Sequence, residues 1–198
     1  TCMVNPRAAR QNQPHYTPAT TRRGIAVVRA GMAGLSAATV AADRGHDVTL
    51  FEASDAIGGQ FRMAAAIPGK EEFRETLRYY QYEVERTGVN LRLGTRAGKQ
   101  ELAGFDDVIV ATGVLPRVPS IPGIEHPKVL RYNEVLRDKK PVGQRVAVIG
   151  AGGIGVDVCE YLLQDPDMSL EAWCAEWGVD PTGNSPGGLR TPHAEKPR

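Results

Sequence analysis

The stretch GIAVVRAGMAGLSAATVAADRGHDVTLFE, residues 24 to 52, constrains the fold of this chain more than any other. Four apolar residues, Ile25 to Val28, predict a buried strand, and they run into Arg29-Ala30-Gly31-Met32-Ala33-Gly34. An alanine-rich helix is predicted from Ala33 to Asp43, and a second strand, Val48 to Phe51, ends on Glu52. Strand, glycine turn, helix and a further strand closing on an acid about 20 residues on is the unit that holds a dinucleotide. The turn admits a pyrophosphate to the backbone, and the helix N-terminus supplies free N–H groups and positive dipole. Gly31 and Gly34 are candidate turn contacts, and Glu52 is placed to accept from a ribose hydroxyl.

One residue departs from the pattern. The first turn position calls for glycine to make the tight turn, and it is Arg29 here. If that position is left-handed, a non-glycine residue costs about 1–2 kcal/mol. The expectation is weakened cofactor binding with the local fold retained.

The pattern recurs. VAVIGAGGIGVDVCEYLL aligns with IAVVRAGMAGLSAATVAA at a constant offset, and this copy has all three glycines, Gly150, Gly152 and Gly155. A four-residue apolar strand before the turn and a helix after it make this a strong second dinucleotide fingerprint. It stops early: Asp165-Pro166-Asp167 ends the helix, and SLEAWCAEWG, where the next strand belongs, reads as a short helix.

Between the two copies, paired Gly58 and Gly59 before Gln60 mark a loop approached closely by either a ligand or another segment. KEEFRETLRYYQYEVERT, 70 to 87, predicts a helix with Phe73, Leu77, Tyr80 and Val84 on its inner face, ended by Gly88. Val89 to Leu93 alternates as a strand does, with Thr95, Arg96 and Ala97 at its exit, where a loop could touch an adenine. FDDVIVATG predicts a buried strand, Val108 to Val110, leading into small residues. The proline-rich VLPRVPSIPGIEHP reads as an inter-domain crossing.

With 24 basic and 23 acidic side chains the chain carries no charge excess to attract nucleic acid or a membrane surface. No apolar run approaches the roughly 18 residues of a membrane span, and a soluble, cytoplasmic protein is expected. Cys2, Cys159 and Cys174 form no CxxC pair and read from spacing alone as lone thiols. The chain opens on Thr1 and not on methionine, so a piece of a longer protein is expected.

CMVNPRA, the first glycine unit with VTLFE, IGGQF, IPGKEEFRETLRYY, VIVATGVLPR and PVGQRVAVIGAGGIG together resemble one family. It is that of NADPH-dependent 2,4-dienoyl-CoA reductase, the iron–sulfur flavoproteins that include trimethylamine dehydrogenase and other enzymes with an old-yellow-enzyme-like barrel. The resemblance implies a multi-domain enzyme in which NADPH reduces FAD, and electrons cross a 4Fe-4S cluster to FMN, which reduces a conjugated enoyl-CoA. It makes Ala33, Glu52, Gln60, Lys70 and Ala97 similar to FAD contacts, with Gly31 and Gly34. Gly150, Gly152 and Gly155 resemble the NADPH pyrophosphate turn, and Cys2 resembles the last of four cluster thiolates. A 4Fe-4S cluster needs four cysteine ligands, so the other three, the FMN barrel and the remaining FAD and NADPH segments would lie in other parts of a parent protein.

The fold class expected is α/β: a Rossmann-like FAD-binding domain carrying the start of a second, NAD(P)-binding one, both truncated. The expected organisation is a connector over 1–23, the first part of the FAD domain over 24–122, the start of the NAD(P)H domain over 123–178, and a loose tail over 179–198. The function expected is the FAD- and NADPH-binding portion of such an oxidoreductase, with no catalytic residue of its own. Two alternatives stand beside it: a generic FAD/NAD(P)H reductase module, and a degenerate non-catalytic fragment with weak FAD binding.

Overall fold

The computed structural model describes residues 7–10, 12–13, 16–165 and 167–189. It divides into two compact units, Thr1–Tyr161 and Leu162–Arg198.

The first unit is built on four parallel strands in the order β3-β2-β1-β4. In chain order the elements up to residue 163 are β1 (Gly24–Val28), α1 (Met32–Asp43), β2 (Asp47–Phe51), α2 (Gln60–Ala64), α3 (Phe73–Thr87), β3 (Asn90–Arg92), α4 (Lys99–Leu102), β4 (Asp107–Val110), α5 (Tyr132–Leu136) and α6 (Gly153–Leu163). β1 lies at the centre because its run of Ile25, Ala26 and Val27 is buried on both faces, the pattern a parallel strand requires. Ala26 pairs with Thr49 of β2 on one side and with Val108 of β4 on the other. α1 lays Leu35 and Ala38 against the sheet, and α3 closes the same core with Tyr80 and Val84 over Ile25, Val27, Val48 and Leu50. Each such large side chain, fully buried, contributes about 1.5–3 kcal/mol.

Apart from the strand expected before the second turn, the predicted elements are present with shifted bounds. The helix expected from Lys70 begins at Phe73, because Pro68, Gly69 (φ 77°) and a turn at 71–72 hold the chain out of helix until then. Of the expected inner stripe, Tyr80 and Val84 are buried with Thr76, while Phe73 instead stacks on Phe61 of α2 at 4.5 Å.

Two expectations fail for one physical reason. β4 was expected to be buried, yet Val110 is 71% exposed, because β4 is the outer strand of the sheet. Val146 to Ile149, expected as the strand that opens the second fingerprint, forms no strand, and Ile149 is 76% exposed. A parallel strand is held by its neighbours' hydrogen bonds, and no strand among the described residues pairs with this one. The turn and helix that follow need only local bonds, and they form.

The second unit contains α7 (Leu170–Trp177), with the Ser169 Oγ accepting from the Ala172 N–H at 3.1 Å and left-handed Gly178 closing it. Val179 bridges antiparallel to Leu189 around Asp180, whose carboxylate accepts from the Thr182 and Ser185 N–H groups. These charge-assisted bonds close a turn within the expected tail. Among the described residues no helix is long and apolar enough to cross a membrane.

Candidate dinucleotide site

The site is assembled where β1 and β2 end. Arg29 leaves β1 in the left-handed region, φ 84°, while its N–H still donates to the Phe51 carbonyl at 2.8 Å. The conformation that the fingerprint reserves for glycine is thus kept by arginine, and Gly150, its counterpart in the second copy, has φ 117°. The carbonyl that this turn directs inward fixes the third position. A Cβ added to Gly34 would lie 1.8 Å from the Arg29 oxygen, and one added to Gly155 would lie 2.1 Å from the Gly150 oxygen. Gly31, the N-cap of α1, and Gly152 have nothing within 4 Å of an added Cβ. Their lack of a side chain leaves open space beside the helix N-terminus, which is what close approach of a pyrophosphate requires.

Glu52 lies under the turn and is 4% exposed. Its Oε2 accepts from the Ala30 N–H at 2.9 Å, and its Oε1 accepts from the N–H and the hydroxyl of Ser54, each at 2.9 Å. Burial works to raise the Glu52 carboxyl. The Ser54 and Ala30 N–H groups, the Ser54 hydroxyl and the charge of Arg29 outweigh it and hold the group below its ordinary range. Ser54 was not foreseen as a partner.

Loop 58–59 passes over the turn. Gly58 donates its N–H to the Ala30 carbonyl at 2.7 Å, and a Cβ on it would meet Leu77 of α3 at 2.5 Å. A Cβ on Gly59 would stand 3.4 Å from Gly31 Cα. Of the two readings left open for these glycines, Gly58 answers to packing and Gly59 to the turn.

A cleft of about 110 Å³ opens beside this turn, with Arg29, Phe51, Thr95, Arg96, Ala97 and Thr112 in its lining. The Thr95 N–H donates to the Glu52 carbonyl oxygen at 2.9 Å, which brings the exit loop of β3 over the end of β2. Ala97, Glu52, Gly31 and Gly34 are thereby gathered around the strand ends, and Ala33 sits exposed in the first turn of α1.

Gln60 and Lys70 are placed elsewhere. The Gln60 side-chain amide donates to the Val114 carbonyl at 2.9 Å, joining α2 to the segment after β4. Lys70 Nζ meets both oxygens of Asp157 on α6, at 2.6 and 2.7 Å, and both residues are half-buried. This pair joins the first copy of the fingerprint to the second, and Asp157 was missed because nothing near it in sequence suggests its partner. Cys2 lies outside the described residues. Among those residues no cluster of histidine, cysteine and acids could hold a metal.

Residues 23–165 match the model of the pyridine nucleotide-disulphide oxidoreductases. The chain belongs to that family. Among relatives, it is 35% identical over 176 residues to a metal reductase of Desulforamulus reducens, covering 86% of this chain and 26% of that protein. It is 38% identical over 177 residues to a multifunctional alkene reductase/demethylase OYE of Caballeronia cordobensis, again covering 86% and 26%. Among solved structures, a complex of 2-naphthoyl-CoA reductase with 2-naphthoyl-CoA superposes with a TM-score of 0.76 at 36% identity, over 81% of this chain and 25% of that one. The chain thus spans about a quarter of the length of the relatives it matches. It carries an oxidoreductase domain of the kind that holds FAD and NAD(P)H, and its relatives include a metal reductase, an alkene reductase/demethylase OYE and 2-naphthoyl-CoA reductase.

Proposed function

We propose that this chain is the FAD-binding and the beginning of the NADPH-binding portion of a flavoprotein reductase resembling 2,4-dienoyl-CoA reductase. The observation that carries the reading is the repeated turn: a left-handed residue at 29 and at 150, each with its carbonyl against a glycine five positions on, in one family domain. In the first copy the open space at Gly31 admits a pyrophosphate, Glu52 orients the ribose, and Ala33 and Ala97 flank the nucleotide. Gln60 and Lys70 would hold the flavin-bearing end, Lys70 exchanging its pairing with Asp157 for the flavin. In the second copy Gly150, Gly152 and Gly155 would hold the NADPH pyrophosphate. Bound FAD supplies hydride acceptance from nicotinamide and onward single-electron transfer, chemistry that belongs to the cofactor. In the parent protein Cys2 would serve as one of four thiolates of a 4Fe-4S cluster leading to FMN, and a conjugated enoyl-CoA would be the final acceptor. The chain's own residues bind and orient; none is proposed as catalytic.

A second reading is favoured by Arg29 and by the unpaired Val146–Ile149 segment: a folded piece that binds flavin weakly. The test is to incubate the purified 198-residue chain with FAD, remove free flavin by ultrafiltration, and compare the retained absorbance spectrum with that of Arg29→Gly. Retained flavin in the unaltered chain supports the main reading. Flavin retained by the variant alone assigns the weakness to the turn, and none in either sinks the main reading for this chain.

A further inference from the structure

Arg29 and Arg96 are the two cations in the lining of the cleft beside the first turn. Arg22, Arg78, Arg86 and Arg137 are each held by an acidic side chain, whereas neither of the cleft arginines has a hydrogen bond or ion pair of this kind among the described residues. Arg29 feels the charge of Glu52, whose oxygens accept from Ala30 and Ser54. Two arginines therefore line one small space, and among the described residues neither is hydrogen-bonded to an acidic side chain. Phe51, Ala97 and Thr112 also line the cleft. Arg29 also holds a backbone conformation, φ 84°, that glycine would adopt without strain, and such outliers gather at ligand sites. A guanidinium fork matches a phosphoryl group with paired, charge-assisted bonds.

We propose that Arg29 and Arg96 are specificity-determining residues that bind a phosphoryl group of an adenine nucleotide, so that this site selects its ligand by phosphate charge. The inference rests on the reading of the cleft as the nucleotide-binding end of the first dinucleotide site. It assigns Arg29 a positive role in binding in place of simple obstruction of the turn. The phosphoryl group belongs either to the 5′-diphosphate or to the ribose, and the two are separable by ligand choice.

Calorimetric titration of the whole chain with adenosine, ADP, adenosine 2′,5′-bisphosphate and FAD tests it, beside Arg29→Asn and Arg96→Gln. Asparagine tolerates the left-handed region, so that variant removes charge while keeping the turn. The expected result at low salt is that a phosphorylated nucleotide binds at least about tenfold tighter than adenosine, the ratio that one charge-assisted hydrogen bond supports. Each variant should lose most of that ratio. Preference for ADP assigns the 5′-diphosphate, and preference for the 2′,5′-bisphosphate assigns the ribose phosphate. Equal affinity for adenosine and its phosphates, tighter ADP binding by Arg29→Asn, or no binding of any nucleotide overturns the proposal. FAD separates the two claims: FAD bound without a phosphate preference leaves the proposed function standing alone, and an arginine-dependent phosphate preference without FAD binding leaves the selectivity standing alone.

Discussion

The carbonyl oxygen of Arg29 stands 1.8 Å from the place a Cβ would take on Gly34. No side chain fits there, since the obstructing atom is backbone and belongs to the turn that ends β1. The same relation joins Gly150 to Gly155, so the third glycine of each copy serves helix-to-turn packing whatever the ligand.

Gly34→Ala should therefore destabilise the first unit by about 1–3 kcal/mol or more, the range for forcing extra volume into a packed site. Gly31→Ala, with open space around it and φ −75°, should change stability by no more than about 0.5 kcal/mol while weakening retention of FAD. Urea denaturation beside flavin retention checks the contrast. Equal stability losses in the two variants would contradict it.

Arg29→Gly should stabilise the chain. Relief of the left-handed conformation is worth about 1–2 kcal/mol, offset by about 0.5–1 kcal/mol for the greater freedom of glycine in the unfolded chain. The net gain expected is about 0.5–1 kcal/mol, read as a raised urea midpoint. Arg29→Ala keeps the strain and should show no such gain.

Glu52 links stability to acid. Its folded pKa lies below the ordinary 4.5, so its contribution is fully present above that value and is lost as pH falls through the folded pKa. Glu52→Gln replaces an oxygen that accepts a hydrogen bond with an amide that cannot, leaving a buried donor unsatisfied. The variant should lose about 1–3 kcal/mol at neutral pH, and its stability should fall less steeply than that of the unaltered chain below pH 4.5. Melting temperatures taken across acid pH would show it.

Lys70 and Asp157 are 37% and 26% exposed at their side chains, which screens their attraction. A double-mutant cycle with Lys70→Met and Asp157→Asn should give a coupling of no more than about 1 kcal/mol. Added FAD should reduce that coupling if Lys70 is drawn to the flavin as proposed. A coupling unmoved by saturating FAD would count against Lys70 as a contact.

What the sequence determined by itself is what is local. The run Ile25–Val28, the spacing of Gly31 and Gly34, the acid at Glu52 and the period of Tyr80 and Val84 specify a strand, a turn, a helix and their inner faces without reference to distant residues. The second turn shows how far local rules reach: Gly150, Gly155 and α6 take their expected form although the strand before them does not. The tertiary structure decided whatever depends on a neighbour. It left β4 at the sheet's edge and Val146–Ile149 unpaired, because strands are completed by hydrogen bonds from other strands. It also brought Ser54 to Glu52, Asp157 to Lys70, and Arg96 to the cleft that Arg29 enters. Charge partners and clefts are set by which loops the fold carries to the same strand ends, and spacing along the chain does not encode that proximity.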